Sequence, residues 1–516
     1  MSEHENASAL RAAAMMFAAA AALAFCSTGC MPLPNECEPG ESQSCRETYG
    51  ATSYCADDGI CDTYTTSQYL AEPCNLETVG PVFEEGTYNV GVILALNRNA
   101  DYYGLIEPMA KAMKLAVNDV NRGNGINGTR MGLIFCNTDG ENSKAQEAAN
   151  HLAKIGVQAV LGPDFSGYTL EVVPGTLIPN GMLAISPSAT APAISGLDDD
   201  SLMWRTVASD KIQATVLADL IQYVKDDVVV AQGDKPRIAM MVRESDPYAD
   251  GLSQGTIEGL PTSTVDDEDT FKTFIYPNAA IGMNDYTQAA LDVAEYKPDI
   301  VLLWGLTEVW DIIEVLDGLL EEDAQLTDTI YITADGGKDT VKADDVGSMR
   351  PSLTGRVWGT APRSLSADEY APYKAFKVRW SSEHATDADT HPFITNAYDA
   401  VYLLAFSIAA SNSSYPTGAQ LAEGMKKLTD PKGTPIVANQ QDFPAGVTAL
   451  SNGKTIDFSG ASGPLEFDDN GDPVSTTVSL WCLNGDKITE QGDLLEAGSS
   501  DFQQQRCNYM PSGGMQ

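Results

Sequence analysis

Two short hydroxyl-rich segments hold most of the chemistry this sequence offers. Between Gly162 and Pro192, the apolar runs 157–161 and 182–185 each end in small polar residues. Asp164-Phe165-Ser166-Gly167 follows the first run, and Ser186-Pro187-Ser188-Ala189-Thr190 follows the second. A strand that runs into a Ser/Thr turn and then a helix presents free backbone N–H groups and hydroxyls at the strand's carboxyl edge. Open α/β sheets place their ligands at that edge, and donors at helix N-termini favour anions. Ser166, Ser188 and Thr190 are therefore candidates to grip the carboxylate of a small molecule. The same residue types also cap helices, which is the competing role for all three.

Catalytic and metal chemistry find little support. Only His4, His151, His384 and His391 occur, none with a His or Cys at metal-ligand spacing, so they read as surface or helix residues and no metal site is expected. There is no G-x-S-x-G nucleophile turn and no phosphate-binding G-x-x-x-x-G-K-[ST] loop. Residues 123–128 match G-x-G-x-x-G but follow a helical pattern and precede a strand, the reverse of a dinucleotide site, so they read as a helix-stopping turn. Acidic clusters at 198–200 and 267–269 lack a D-x-D-x-D-G loop and read as solvated. No cofactor is expected.

The elements that must carry the hydroxyl turns are legible from about Tyr88 onward. Apolar strand-like runs at 89–95, 131–135, 237–242, 300–305 and 330–333 alternate with helical patterns at 106–120, 145–155, and from 249 and 308. Near-continuous apolar strands separated by helices predict α/β architecture, with parallel sheets covered on both faces. The chain of 516 residues has too many such units for one small sheet, so two similar lobes are expected.

Composition narrows the setting. With 31 basic and 72 acidic residues the formal charge is −41, which argues against nucleic acid and against a polybasic membrane surface. Arg11 precedes an apolar run at 12–25, too short to span a bilayer and suited to a signal peptide. The run ends in Ser27-Thr28-Gly29-Cys30, which resembles a bacterial lipoprotein signal with Cys30 as the lipidated residue. Met31 is not the Asp associated with inner-membrane retention, so the outer membrane is expected if the host is Gram-negative. With Cys26 and Cys30 set aside, eight cysteines remain and fit export: Cys37, Cys45, Cys55 and Cys61 pair among themselves, Cys482 pairs with Cys507, and elimination leaves Cys74 with Cys136. A zinc site is the rival for the first four, but their gaps lack paired short spacing.

Several segments, in register, resemble the branched-chain amino-acid (leucine-binding-protein) family of type I periplasmic binding proteins. They are Gly125–Gly128, Gly162–Pro192, Trp204-Arg205-Thr206 with Ser209-Asp210, Asn396–Leu404, and Ser462-Gly463-Pro464 with Phe467–Gly471. The resemblance spans roughly Tyr88 to Thr489 and implies two lobes closing on a ligand in the cleft between them. The residues before that span read as a signal peptide at 1–29 and a Cys-rich tether at 30–86. Lobe 1 is then built from 87–205 with 357–455, and lobe 2 from 206–356 with 456–516.

Position by position, the resemblance implies that Ser166 holds the ligand α-carboxylate. The backbone carbonyl of Ser188 takes the α-ammonium, and Thr190 touches both groups. Tyr248 would close over the ligand from lobe 2, and Asp335 would pair with its ammonium. An ordinary loop aromatic is the alternative for Tyr248, and an ordinary turn for Asp335-Gly336. The chain departs from the family at Trp304-Gly305-Leu306-Thr307-Glu308, where Leu306, Thr307 or Trp304 would face the ligand, and at Asp101-Tyr102-Tyr103-Gly104, which adds Tyr103 as a candidate. Phe165 occupies a position of the family's early disulfide. The implied function is a lipid-anchored receptor for an amino acid or amino-acid-like zwitterion. Its partner would be the membrane subunits of an ABC transporter or a signalling protein; an amide hydrolase or a structural envelope protein is the alternative.

Overall fold

The computed structural model describes residues 36–38, 42–229, 235–278, 286–321, 328–363, 370–495 and 507. The signal segment and Cys30 lie outside the described residues. Two lobes are built on two sheets. The sheet of lobe 1 runs, in spatial order, Glu77–Val79, Arg130–Asn137, Thr87–Leu94, Ala159–Leu161, Leu183–Ser186 and Met203–Arg205. All its neighbours are parallel except the first strand, which is antiparallel at the edge. The sheet of lobe 2 runs Phe271–Tyr276, Ile238–Arg243, Ile300–Trp304, Ile330–Thr333, Val357–Pro362, Val478–Asn484 and Lys487–Leu495, with the last two antiparallel. The central strands are buried along their whole length, as strands covered on both faces by helices must be.

Hydrophobic pattern separates surface helices from core ones. Helix Tyr103–Val120 buries a stripe including Ile106, Met109, Met113 and Val117 against the sheet of lobe 1. Helix Ile394–Ser411 is apolar all round, and every residue from Ile394 to Ala410 is buried. The three glycines of the 123–128 turn take positive φ directly after helix Tyr103–Val120 and before strand Arg130–Asn137, so this segment is a helix stop.

The lobe boundaries expected from sequence need correction in three places. Strand Val357–Pro362, expected in lobe 1, pairs in parallel with Tyr331–Thr333 in lobe 2. Strand Ile456–Ser459, expected in lobe 2, pairs with Thr434–Val437, and Ile456 and Phe458 sit in the core of lobe 1. In each case the apolar face of the strand finds its burial one crossover away from where continuity of the chain put it. The expected tether is also shorter: Glu77–Val79 is an edge strand of lobe 1, and Tyr69 and Val82 pack in its core. The disulfides are Cys37–Cys55, Cys45–Cys61, Cys74–Cys136 and Cys482–Cys507. Among the described residues, no helix is long and apolar enough to cross a membrane.

Candidate functional site

The chain crosses between the lobes three times, and one arginine ties two of the crossings together. Arg205, fully buried, forms a two-pronged ion pair with Asp472 and donates to the carbonyls of Ala189 (3.2 Å) and Ala191 (3.1 Å). The Arg205 N–H donates to the carbonyl of Gly471 (3.0 Å), and Trp204 meets Phe467 edge-on at 5.1 Å. Gly471 has φ +74°, and a Cβ there would stand 2.5 Å from the Met203 carbonyl, so this turn requires glycine. Asn396 and Thr206 exchange side-chain-to-carbonyl hydrogen bonds. Asp399 accepts from Ala461 N–H, Ser462 N–H and the Ser462 hydroxyl. The motifs that flank the ligand loops in sequence thus form the frame that holds those loops.

A cavity of about 460 Å³ lies between the carboxyl edges of the two sheets. Phe165, Ser166, Gly167, Tyr168 and Ser188 line it from lobe 1, and Arg243, Ser245, Tyr248, Leu306, Asp335 and Gly336 line it from lobe 2. Leu105, Ile106, Met109 and Phe393 add an apolar wall.

Ser166 opens helix Ser166–Val172, but the cap position belongs to Phe165. Its hydroxyl instead accepts from the Ala191 N–H (3.1 Å), bridging the two hydroxyl turns. The Ser188 hydroxyl donates to the Asp164 carbonyl (2.8 Å). Asp164 in turn accepts from Ala95 N–H (2.7 Å) and Phe165 N–H (3.0 Å), and burial raises its pKa to about 7. Thr190 does not line the cavity; it lies behind it, and its buried hydroxyl has no hydrogen-bond partner among the described residues.

On the lobe 2 side, Tyr248 is held by the N-cap Asp246, which accepts its N–H at 3.0 Å. The Tyr248 hydroxyl donates to Asp335 Oδ1 (3.1 Å) and accepts from the Gly336 N–H (3.0 Å). Asp335 follows strand Ile330–Thr333 in a tight turn and is 3% exposed, so burial raises its pKa to about 6.

Leu306 lines the cavity, whereas Trp304 is fully buried in the core of lobe 2 and Thr307 is buried off the cavity wall. Tyr103 packs against the core of lobe 1 and does not reach the cavity either. Of the nine residues proposed from sequence, the structure gathers Ser166, Ser188, Tyr248, Leu306 and Asp335 on one cavity. Thr190 stands behind it, and Tyr103, Trp304 and Thr307 stand elsewhere. For Trp304 and Tyr103, alternation along a strand or a half-turn of helix decides which neighbour faces the cleft, whereas Thr190 and Thr307 stand in irregular segments whose local pattern names no facing side chain.

Two groups were not anticipated. Asp210, the first residue of helix Asp210–Tyr223, is fully buried, and neither carboxylate oxygen has a hydrogen-bond partner among the described residues. Burial first, and then the charge of Asp335, pushes its pKa well above the ordinary carboxylate range, against the smaller opposing effects of the Thr190 hydroxyl and the Arg205 charge. Arg243 lines the cavity but is saturated by Asp246 and by Glu308 (3.3 Å), and Tyr276 donates to Glu308 as well (2.9 Å). In the sequence Asp210 stands only within a segment that carries the resemblance, next to Ser209, which caps the helix by accepting from the Lys211 N–H (3.4 Å).

The site therefore has two poles: hydroxyls and helix N-terminal N–H groups at one end, and at the other the buried Asp335 carboxyl, whose charge bears on the buried Asp210. Two such carboxyls cannot both ionise cheaply in a dry site, and a ligand cation removes that conflict.

Residues 87–451 match the family described as periplasmic binding protein. The chain is 26% identical over 402 residues to a Leu/Ile/Val-binding protein of Rhizobium johnstonii, covering 77% of this chain and 92% of that one. It is 25% identical over 435 residues to a chemotactic signal transduction system substrate-binding protein of Halobacterium salinarum, covering 82% and 91%. Its fold is similar to that of a branched-chain amino acid transporter substrate binding protein from Streptococcus pneumoniae solved with isoleucine, with a TM-score of 0.58, 17% identity, and coverage of 80% and 99%. The chain belongs to the periplasmic binding protein family, whose members bind solutes outside the cytoplasmic membrane.

Proposed function

We propose that this protein is a lipid-anchored receptor that captures an amino acid with an apolar side chain by closing its two lobes. The observation that carries this reading is Asp335, a buried carboxyl on the cavity wall whose charge bears on the buried Asp210, set across the cavity from Ser166 and Ser188. An ammonium brings three N–H donors, and the acceptor on the cavity wall is the Asp335 carboxyl, with the buried Asp210 near enough for their charges to interact. The carboxylate meets the hydroxyls and the N-terminus of helix Ser166–Val172. Leu105, Ile106, Met109, Leu306 and Phe393 form an apolar chamber for the side chain, while Arg243 is already neutralised and selects for no second acid. A carboxylate lacking an amine would leave Asp335 and Asp210 unpaired, so zwitterions are preferred over simple acids.

Ligand contacts from both lobes stabilise the closed form by their difference between open and closed states. The proposed anchor is Cys30, and the receiving partner is the membrane subunits of an ABC transporter. A sensory role is the second reading. It is favoured by the disulfide-stapled module before lobe 1 and by similarity to a protein named for chemotactic signalling. Membership in a solute-binding family supports binding as the reading over catalysis. A thermal-shift screen of the twenty amino acids against their deaminated acids tests the proposal. A shift of several degrees confined to apolar amino acids supports it; equal shifts with the acids, or none with any amino acid, refute it.

A further inference from the structure

Arg46 is an exception among the shielded arginines. Arg205 is paired with Asp472, Arg243 with Asp246 and Arg356 with Asp317, as expected of buried guanidinium groups. Arg46 has no carboxylate within ion-pair distance among the described residues, and its solvent-shielded Nε donates to nothing. This is in a chain with 72 acidic residues, where a partner would be easy to supply.

Arg46 lies on helix Gln43–Tyr49, in the small module stapled by Cys45–Cys61 and Cys37–Cys55. Its guanidinium lies against Gly156 of lobe 1, in the space a Cβ would take there. Module and lobe enclose a cavity of about 370 Å³, in which Arg46, Gln43 and Ser42 face Tyr69, Tyr88 and Tyr415. The seam is built rather than incidental. The Gln43 amide donates across it to the Tyr415 carbonyl (3.5 Å), and each side is braced in itself: the Ser42 hydroxyl accepts from Cys55 N–H (3.1 Å), and Tyr88 donates to the Pro416 carbonyl (2.9 Å). The Tyr69 hydroxyl accepts from the Asn89 amide (2.9 Å), which leaves its own proton to donate.

We propose that this seam is a second binding site, for a small oxyanion such as a carboxylate or a phosphate. A guanidinium presents a planar fork of donors that matches both groups, and removal from water strengthens the pairing. Burial already lowers the pKa of Arg46, a cost that an anion would remove. Tyrosine rings wall the remaining space, so the body of an organic anion would lie on apolar surface. The site is separate from the interlobe cleft and shares no lining residue with it.

The test is calorimetric titration of the full chain with sodium phosphate and, separately, sodium acetate, at ionic strength held constant with sodium chloride. Wild type should bind at least one of the two saturably. Ser166→Ala, which alters the cleft, should keep that binding. Arg46→Gln should lose at least tenfold in anion affinity while its cleft ligand binds as before. Arg46→Lys keeps the charge but not the fork and should lie between them, which covers the case in which Arg46→Gln fails to fold. Which anion binds distinguishes the two oxyanion classes. The absence of saturable binding by wild type, or equal affinity in Arg46→Gln, overturns the proposal and leaves Arg46 an arginine hydrated by water.

Discussion

Replacing Asp335 with Asn should make the empty protein more stable and the receptor worse, and both changes can be sized from the structure. The Asp335 carboxyl is 3% exposed, and burial raises its pKa to about 6 from an ordinary 3.8. A carboxyl whose folded pKa lies above its unfolded one destabilises the fold wherever it is ionised. That penalty is fully present above pH 6 and fades as pH falls from 6 towards 4. At pH 7 it amounts to roughly 2–3 kcal/mol. Asn keeps an acceptor for the Tyr248 hydroxyl and removes the charge, so the ligand-free melting temperature should rise at pH 7, and the gain should vanish near pH 4. Binding should move the other way, because removing one member of a buried charge pair costs about 2–5 kcal/mol, or roughly 30- to 5,000-fold in Kd. Calorimetry with leucine measures the affinity, and scanning calorimetry of the ligand-free protein measures the stability. A lowered ligand-free melting temperature, or a Kd within threefold of wild type, would refute the reasoning.

Four further outcomes follow. Leucine affinity of the wild type should weaken about tenfold between pH 8 and pH 5, because a carboxyl with a pKa of about 6 must ionise before it can meet an ammonium; a flat profile contradicts this. Tyr248→Phe removes the hydroxyl that joins Asp335 to the Gly336 N–H and should weaken binding by about 1–2 kcal/mol, read as a Kd change of roughly 5- to 30-fold. Arg205→Met leaves Asp472 buried and unpaired and should cost about 3–5 kcal/mol of stability in denaturant titration. Lys342 of lobe 2 reaches Asp101 of lobe 1 across the cleft rim at 3.4 Å. Since Asp101 is half exposed, Lys342→Ala should speed ligand release only a few-fold in stopped flow, in line with a rim ion pair worth less than about 1 kcal/mol.

The parts of the fold legible in the sequence were those with strong periodicity. The buried strands at 87–94 and 300–304, and the all-apolar helix Ile394–Ser411, have patterns that only a doubly covered sheet and a central helix satisfy. The lobe assignments of Val357–Pro362 and Ile456–Ser459 were not legible. A strand's pattern says that one face is buried, not which of two similar lobes buries it. The same limit applied in the site. Ser166 and Ser188 could be placed on the cavity because each follows an apolar run at a sheet's carboxyl edge, where open α/β sheets gather their ligands. Trp304, Leu306 and Thr307 could not be ordered, because one residue of register decides between core and cleft. Asp210 stayed hidden because an acid at the first position of a helix already has a local explanation, and only three-dimensional packing shows that nothing satisfies it.

The central claim is that the cleft reads both charged groups of a zwitterion, one from each pole. Calorimetric titration of the wild type at pH 7.5 with leucine, 4-methylpentanoate and 3-methylbutylamine tests it most directly, since the latter two each keep the side chain and one charged group. The structure predicts that leucine binds at least 100-fold more tightly than either analogue, at about 3 kcal/mol for each lost pole. Binding of 4-methylpentanoate as tight as that of leucine would contradict it, because Asp335 and Asp210 would then have no role in recognition.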